Sequence, residues 1–159
     1  KILMLDSGLM LRLLNMTLGD ISELTSMILT SSAADLVNKG AVAEMIAGLE
    51  LMRYKTPDIR QELYYWIREA KNSQAEIDYV DTLRLKVLPI EVKAGSRGGM
   101  KSLWIFMREK KLDRAVRCSM ENFGEFEYID NDAEDAVRHV TVCPIYAISM
   151  MPKLLDTIQ

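Results

Sequence analysis

Three residues in the middle of the chain have the types and spacing to do chemistry: Asp78, Glu91 and Lys93, in AEIDYVDTLRLKVLPIEVKAGS from Ala75 to Ser96. Both flanking segments, EIDYVDT and VLPIEVK, read as strands because β-branched and aromatic residues alternate with polar ones. Strand period two puts Leu88, Ile90 and Val92 on one side and Val87, Pro89, Glu91 and Lys93 on the other. By the same rule Ile77 and Tyr79 share a face opposite Glu76 and Asp78. A two-residue turn at Arg84-Leu85 would set Thr82 opposite Val87, Val80 opposite Pro89 and Asp78 opposite Glu91, with Cβ atoms roughly 5 Å apart. Carboxylates that close repel unless water, a proton or a cation intervenes, and hard divalent ions such as Mg²⁺ take oxygen ligands of this kind. Lys93 would point into the same pocket. The competing reading is a hairpin with one wet face, on which charged residues are ordinary and Pro89 marks an edge position.

A third acid strengthens the first reading. On the helical stretch from Leu36 to Met52, Glu44 shares a face with Val37 and Leu51 and lies one turn from Gly48, so a charge sits in an apolar stripe. Such a charge needs a partner, either a nearby Lys or Arg or the two acids of the hairpin.

The elements that must position these residues divide into a helical first part and a strand-rich second part. From Leu9 to about Tyr54 the apolar residues recur at helical spacing, with Asp6, Ser7 and Asp20 as helix starts, and three helices are expected. Thr56, Pro57 and Asp58 break the pattern. Six strands follow: LYYWIR, EIDYVDTL, VLPIEVK, RAVRCSM, EFEYID and AVRHVTV. Between the third and fourth lies GSRGGMKSLWIFMREKKLD, a Gly-rich turn opening a helix whose apolar face carries Leu103, Phe106 and Met107. Strand, helix, strand implies a crossover, which makes VLPIEVK and RAVRCSM parallel in a sheet whose first three strands are antiparallel. The expected class is α/β with a mixed sheet: an N-terminal helical segment over 1–55, a core over 56–159, and a short closing helix in MPKLLDTIQ.

Composition excludes several functions. The 159 residues carry 49% hydrophobic residues and a net charge of −3, and the isoelectric point near 5.3 provides no general basic field for nucleic acid. Two cysteines, Cys118 and Cys143, with the single His139 cannot assemble a tetrahedral zinc site, and they fit a reducing, cytoplasmic compartment. No apolar run is long enough to span a bilayer, so no membrane partner is expected. The chain starts at Lys1 without an initiator Met, as an excised portion of a longer chain would.

GSRGGMKS, from Gly95 to Ser102, follows a strand and opens a helix as a phosphate loop does, but Met100 stands where a second Gly is required, so it is not an ATP site. It reads first as a turn; Arg97 and Lys101 beside free helix-start amides could hold one nucleic-acid phosphate. Arg108, Lys110, Lys111 and Arg114 read as a solvated helix end, and His139 as a wet-face strand residue. The Met residues read as core filler, with Met10, Met16 and Met27 as lining for a partner surface.

The order helix-borne Glu44, Asp78 closing EID, then EVK on the next strand, followed by helix and strand, resembles the PD-(D/E)XK nuclease superfamily of restriction-endonuclease-like folds. More narrowly, the segments LDSGL, GAVAEMIAGLEL, LYYWIR, AEIDYV, LPIEVKAG and VTVCPIYAI make the chain similar to a C-terminal domain of unknown function fused to prokaryotic AAA+ ATPases. The resemblance implies a mixed sheet of the restriction-endonuclease-like type, DNA phosphodiesters as substrate, and Mg²⁺ or Mn²⁺ as cofactor. Asp78 and Glu91 would be its metal ligands, Glu44 a helper acid, and Lys93 the residue that orients and activates water. It also implies an ATPase module upstream in the same full-length chain, with ATP bound only there. The superfamily's PD dipeptide is not present, since Ile77 precedes Asp78. The alternative is a module that kept the fold without the chemistry and binds nucleic acid or protein to regulate the ATPase.

Overall fold

The computed structural model describes residues 3–4, 6–13, 39–53, 62–69, 74–83, 85–95 and 99–157. Helix α1 (Ser7–Leu13) begins where the Leu9 amide donates to Asp6 Oδ1 at 2.9 Å, which satisfies one of the free amides of its first turn. Asp20, Met16, Met27 and the breaker Thr56–Asp58 lie outside the described residues. Helix α2 (Lys39–Arg53) occupies most of the predicted 36–52 stretch, and its Ala43, Ala47 and Leu51 are buried against the sheet.

All six predicted strands form: β1 (Tyr64–Ile67), β2 (Glu76–Leu83), β3 (Lys86–Val92), β4 (Arg114–Ser119), β5 (Gly124–Asp130) and β6 (Ala136–Pro144). Their order in one sheet is β1-β2-β3-β4-β6-β5. The first three are antiparallel, β3, β4 and β6 run parallel, and β5 returns antiparallel to β6. The β2–β3 hairpin has the predicted register, Thr82 opposite Val87 and Val80 opposite Pro89. Its turn forces Leu85 to φ 66°, in the left-handed region.

Helix α3 (Lys101–Lys110) carries the chain from β3 to β4, with Leu103, Phe106 and Met107 buried as its spacing predicts. Two apolar cores result, one on each face of the sheet. On the α2 side, Tyr79, Leu88, Ile90, Val92, Val116 and Cys118 pack with the helix α4 (Met151–Thr157) and the 3-10 segment Ile145–Met150 before it. On the α3 side, Ile77, Ala115 and Val140 meet Met100, Leu103, Phe106 and Met107, and the Trp66 ring meets Phe106 edge-on at 4.9 Å.

Two expectations are corrected. Pro89 does not mark an edge: β3 is flanked by β2 and β4, and Pro89 is fully buried within it. Proline lacks an N–H to donate and is ordinarily kept to edge strands or bulges, so its central place shows that the neighbouring pairs hold the ladder here. Ile77 and Tyr79 also do not share a face, since they belong to opposite cores. The cause is a register shift: Tyr64 pairs with Val80 and Trp66 with Ile77, so Asp78 and Tyr79 together face the single residue Tyr65. An extra residue of this kind is a β-bulge, which interrupts alternation and re-aims the side chain beside it. That side chain is Asp78.

Candidate functional site at the open end of the hairpin

A carboxylate inside a core is costly unless it is paired, so buried acids show where a fold has spent stability. Asp78 is 8% exposed and Glu91 4%. Glu91 stands between Ile90 and Val92, which fill the α2-side core, and therefore faces the α3 side. Its in-register neighbour on β4 is Arg117, a buried cation with Nη1 3.6 Å from Met100 Sδ and Nη2 3.5 Å from the Gly95 carbonyl. Lys93 Nζ donates to Glu91 Oε1 at 2.5 Å, the ammonium more open to solvent than the acid. Two cations therefore flank one carboxylate at the carboxyl ends of two parallel strands, where open α/β sheets commonly form ligand crevices.

Asp78 is held differently. One step past the last recorded pair of the hairpin, Tyr79 with Ile90, its Oδ2 accepts the Val92 amide at 2.8 Å. The bulge turns the carboxylate into a substitute for a ladder carbonyl. The Cys118 thiol is held well above its ordinary range, first by its hydrogen bond with Cys143 and then by burial, with the Asp78 charge adding to both. Cys118 and Cys143 are in-register neighbours on β4 and β6, both free thiols.

Glu44 is half-buried on α2, and its backbone carbonyl accepts the Tyr79 hydroxyl at 2.7 Å. The same close approach explains Gly48, where an added Cβ would lie 2.6 Å from Tyr79 Oη. The structure thus brings Lys93 onto Glu91 and seats Asp78 on the next amide along. Among the described residues, no three of the His, Cys, Asp and Glu side chains form a group that could hold a metal ion, so Glu44 does not join the hairpin acids in such a group. Arg97 lies outside the described residues; Lys101 is the exposed first residue of α3.

Arg117 was missed from the sequence. Alternation in RAVRCSM sets it opposite Val116 and Cys118, but only the parallel register places it beside Glu91. Its Nη2 also lies 3.4 Å from Glu121 Oε2, which in turn accepts the Ser119 hydroxyl at 3.1 Å. Arg108 corrects a further expectation. It is not part of a solvated helix end but binds Asp130 Oδ1 at 2.6 Å. His139, half-exposed with Nδ1 3.3 Å from Glu127, is the surface strand residue that was expected.

These features define an α/β domain with a six-stranded mixed sheet and a buried cluster of acids and cations at the open end of its hairpin. The chain belongs to the family described as Domain of unknown function (DUF4143), whose model matches residues 39–147, from α2 through β6 and into the 3-10 segment. No curated protein and no solved structure matches the chain. No helix among the described residues is long and apolar enough to cross a membrane.

Proposed function

We propose that this domain is a nuclease-like module of the restriction-endonuclease type, directed at DNA phosphodiesters, dependent on Mg²⁺ or Mn²⁺, and serving an AAA+ ATPase module in the same full-length chain. The observation that carries this reading is that Glu91 on β3 and Lys93 just past its end stand together, 2.5 Å apart, the acid buried and the ammonium a quarter exposed, with Asp78 bound to the residue between them. The donor chemistry fits a hard divalent ion, because carboxylate oxygens are its ordinary ligands. A bound ion would supply an acidified water and compensate charge developing on the phosphate. Asp78 and Glu91 would hold it. Lys93 would leave Glu91 to orient the attacking water, Glu44 would assist from α2, and Lys101 with Arg97 would hold a neighbouring phosphate.

A second reading has an observation of its own. With Lys93 on Glu91 and Arg117 beside it in register, the acid has its charge compensated without a metal. That favours a module without catalysis that binds nucleic acid or protein to regulate the ATPase. Calorimetric titration with Mg²⁺ and Mn²⁺, combined with cleavage assays on duplex, single-stranded and branched DNA, separates the two. The first reading expects saturable metal binding and cleavage that disappears in Lys93→Ala. Silence at millimolar metal, with no cleavage of any substrate, would leave the second.

A further inference from the structure

The β5 border of the sheet carries a feature the hairpin cluster does not explain. β5 is the last strand in the sheet order, paired with β6 on one side and with no strand on the other among the described residues. It is a firm strand. Its register with β6 is continuous from Gly124 to Asp130, the Tyr128 ring stacks on Trp104 at 4.1 Å and 9°, and Asp130 is clamped by Arg108 and Arg138.

An ordered edge strand with no strand beyond it among the described residues is a template for another strand, and proteins usually blunt such an edge with Lys, Pro or a covering loop. β5 has neither Lys nor Pro. It shows Phe126 and Ile129 to solvent at 37% and 57% exposure, with Val137 exposed across from Ile129. Glu125 and Glu127, both exposed, share the strand face of Ile129, and Phe126 stands on the other face. From Glu121 to Asp135 the chain has seven acids and no Lys or Arg; Asp130 and Asp132 are answered by Arg108, Glu121 by Arg117, and Glu127 lies beside His139. Charge therefore selects the occupant. A second copy of β5 would bring glutamates against glutamates, and DNA would meet a border of its own sign. A strand alternating Lys or Arg with Val, Ile or Phe would meet the strand edge, apolar side chains and acids together.

We propose that the outer edge of β5 is a docking site for an extended segment of a partner protein in which basic and apolar residues alternate, added to the sheet as a further strand. This does not depend on the nuclease-like reading, since β4 and β6 separate β5 from the hairpin strands β2 and β3.

The test uses the intact chain and three synthetic peptides: one alternating Lys and Val, one alternating Glu and Val, and the Lys–Val peptide N-methylated at alternate backbone amides. Binding is followed by fluorescence anisotropy and by NMR shifts of the β5 amides. The Lys–Val peptide alone is expected to bind, with shifts centred on β5 and affinity falling as salt rises. N-methylation, or the double change Glu125→Lys and Glu127→Lys, is expected to weaken it by at least about tenfold. Failure of the Lys–Val peptide to bind would overturn the proposal. So would binding that survives N-methylation, binding that survives charge reversal, or shifts centred elsewhere; the N-methylated peptide decides the matter even if the charge-reversed chain does not fold.

Discussion

Two buried ionic clusters lie on the α3 side of the same sheet and are built on opposite plans. Around Asp130, which is fully buried, Arg108 approaches Oδ1 at 2.6 Å and Arg138 approaches Oδ2 at 3.3 Å, while Arg138 also donates to the Leu112 carbonyl at 2.5 Å. Hydrogen bonding from Arg108 comes first among the causes that hold the Asp130 carboxyl below its ordinary range, with Arg138 adding to it against the opposing effect of burial. Helix α3, β5 and β6 are tied together through one acid. Around Glu91 the cations sit at strand ends beside a loop, and the Lys93 side chain is a quarter exposed. The first cluster joins a helix and two strands, and the second lies at the carboxyl ends of the parallel strands β3 and β4. A buried charge that links three elements is architectural; one at the carboxyl ends of parallel strands lies where open α/β sheets commonly bind ligands.

The widest gap between the two should appear on removing one charge. Asp130→Asn strands Arg138 in the core and weakens the tie to Arg108, and is expected to cost about 3–5 kcal/mol in denaturant unfolding. The acid dependence gives a second check. Because the folded-state pKa of Asp130 is depressed, its contribution is complete above the ordinary aspartate range and is lost as pH falls through that range toward the lowered folded value. Unfolding curves collected across the acid range should therefore decline less steeply in Asp130→Asn than in the parent. Equal slopes would remove Asp130 from the stability account.

A smaller effect tests the wall behind the hairpin. In Gly48→Ala the new methyl would meet Tyr79 Oη at 2.6 Å and Leu3 Cδ2 at 2.8 Å. The tyrosine is pinned by its bond to the Glu44 carbonyl, so a loss of about 1–3 kcal/mol is expected from overpacking. If α2 instead shifts freely, the loss will be within error and the wall is not rigid.

Lys93→Ala probes the other cluster and should cost no more than about 1 kcal/mol without metal, because solvent already reaches the ammonium. The informative quantity is the difference between melting with and without Mg²⁺. Removing a positive charge from beside the acids should make the variant gain more from the ion than the parent does. Identical gains would bring this cluster closer to the architectural kind around Asp130.

The smallest change lies at the hairpin turn. Leu85 is fully exposed and holds a left-handed φ of 66° that glycine adopts without penalty. Leu85→Gly is expected to stabilise by about 0.5–1 kcal/mol, with the steric relief partly offset by the added freedom of the unfolded chain. No gain in thermal midpoint would mean that the turn is not strained.

Local patterning was sufficient for most of the scaffold. Six strands, the apolar face of α3, the Asp6 cap and the two-residue turn could be read from residue types because each depends on neighbours within a few positions: alternation, helical spacing, a capping side chain. The parallel relation of β3 and β4 followed from the crossover alone. What the sequence could not determine was set by contacts between residues distant along the chain. The bulge at Asp78 depends on β1 placing two residues of β2 against Tyr65, and nothing in EIDYVDT marks the extra residue. Pro89 reads as an edge until its strand is enclosed on both sides. Arg117 comes beside Glu91, and Arg108 reaches Asp130, only because strands and a helix more than twenty positions apart are brought together. Alternation tells which side of a strand a charge must leave by; only the assembled sheet decides which charge it meets there.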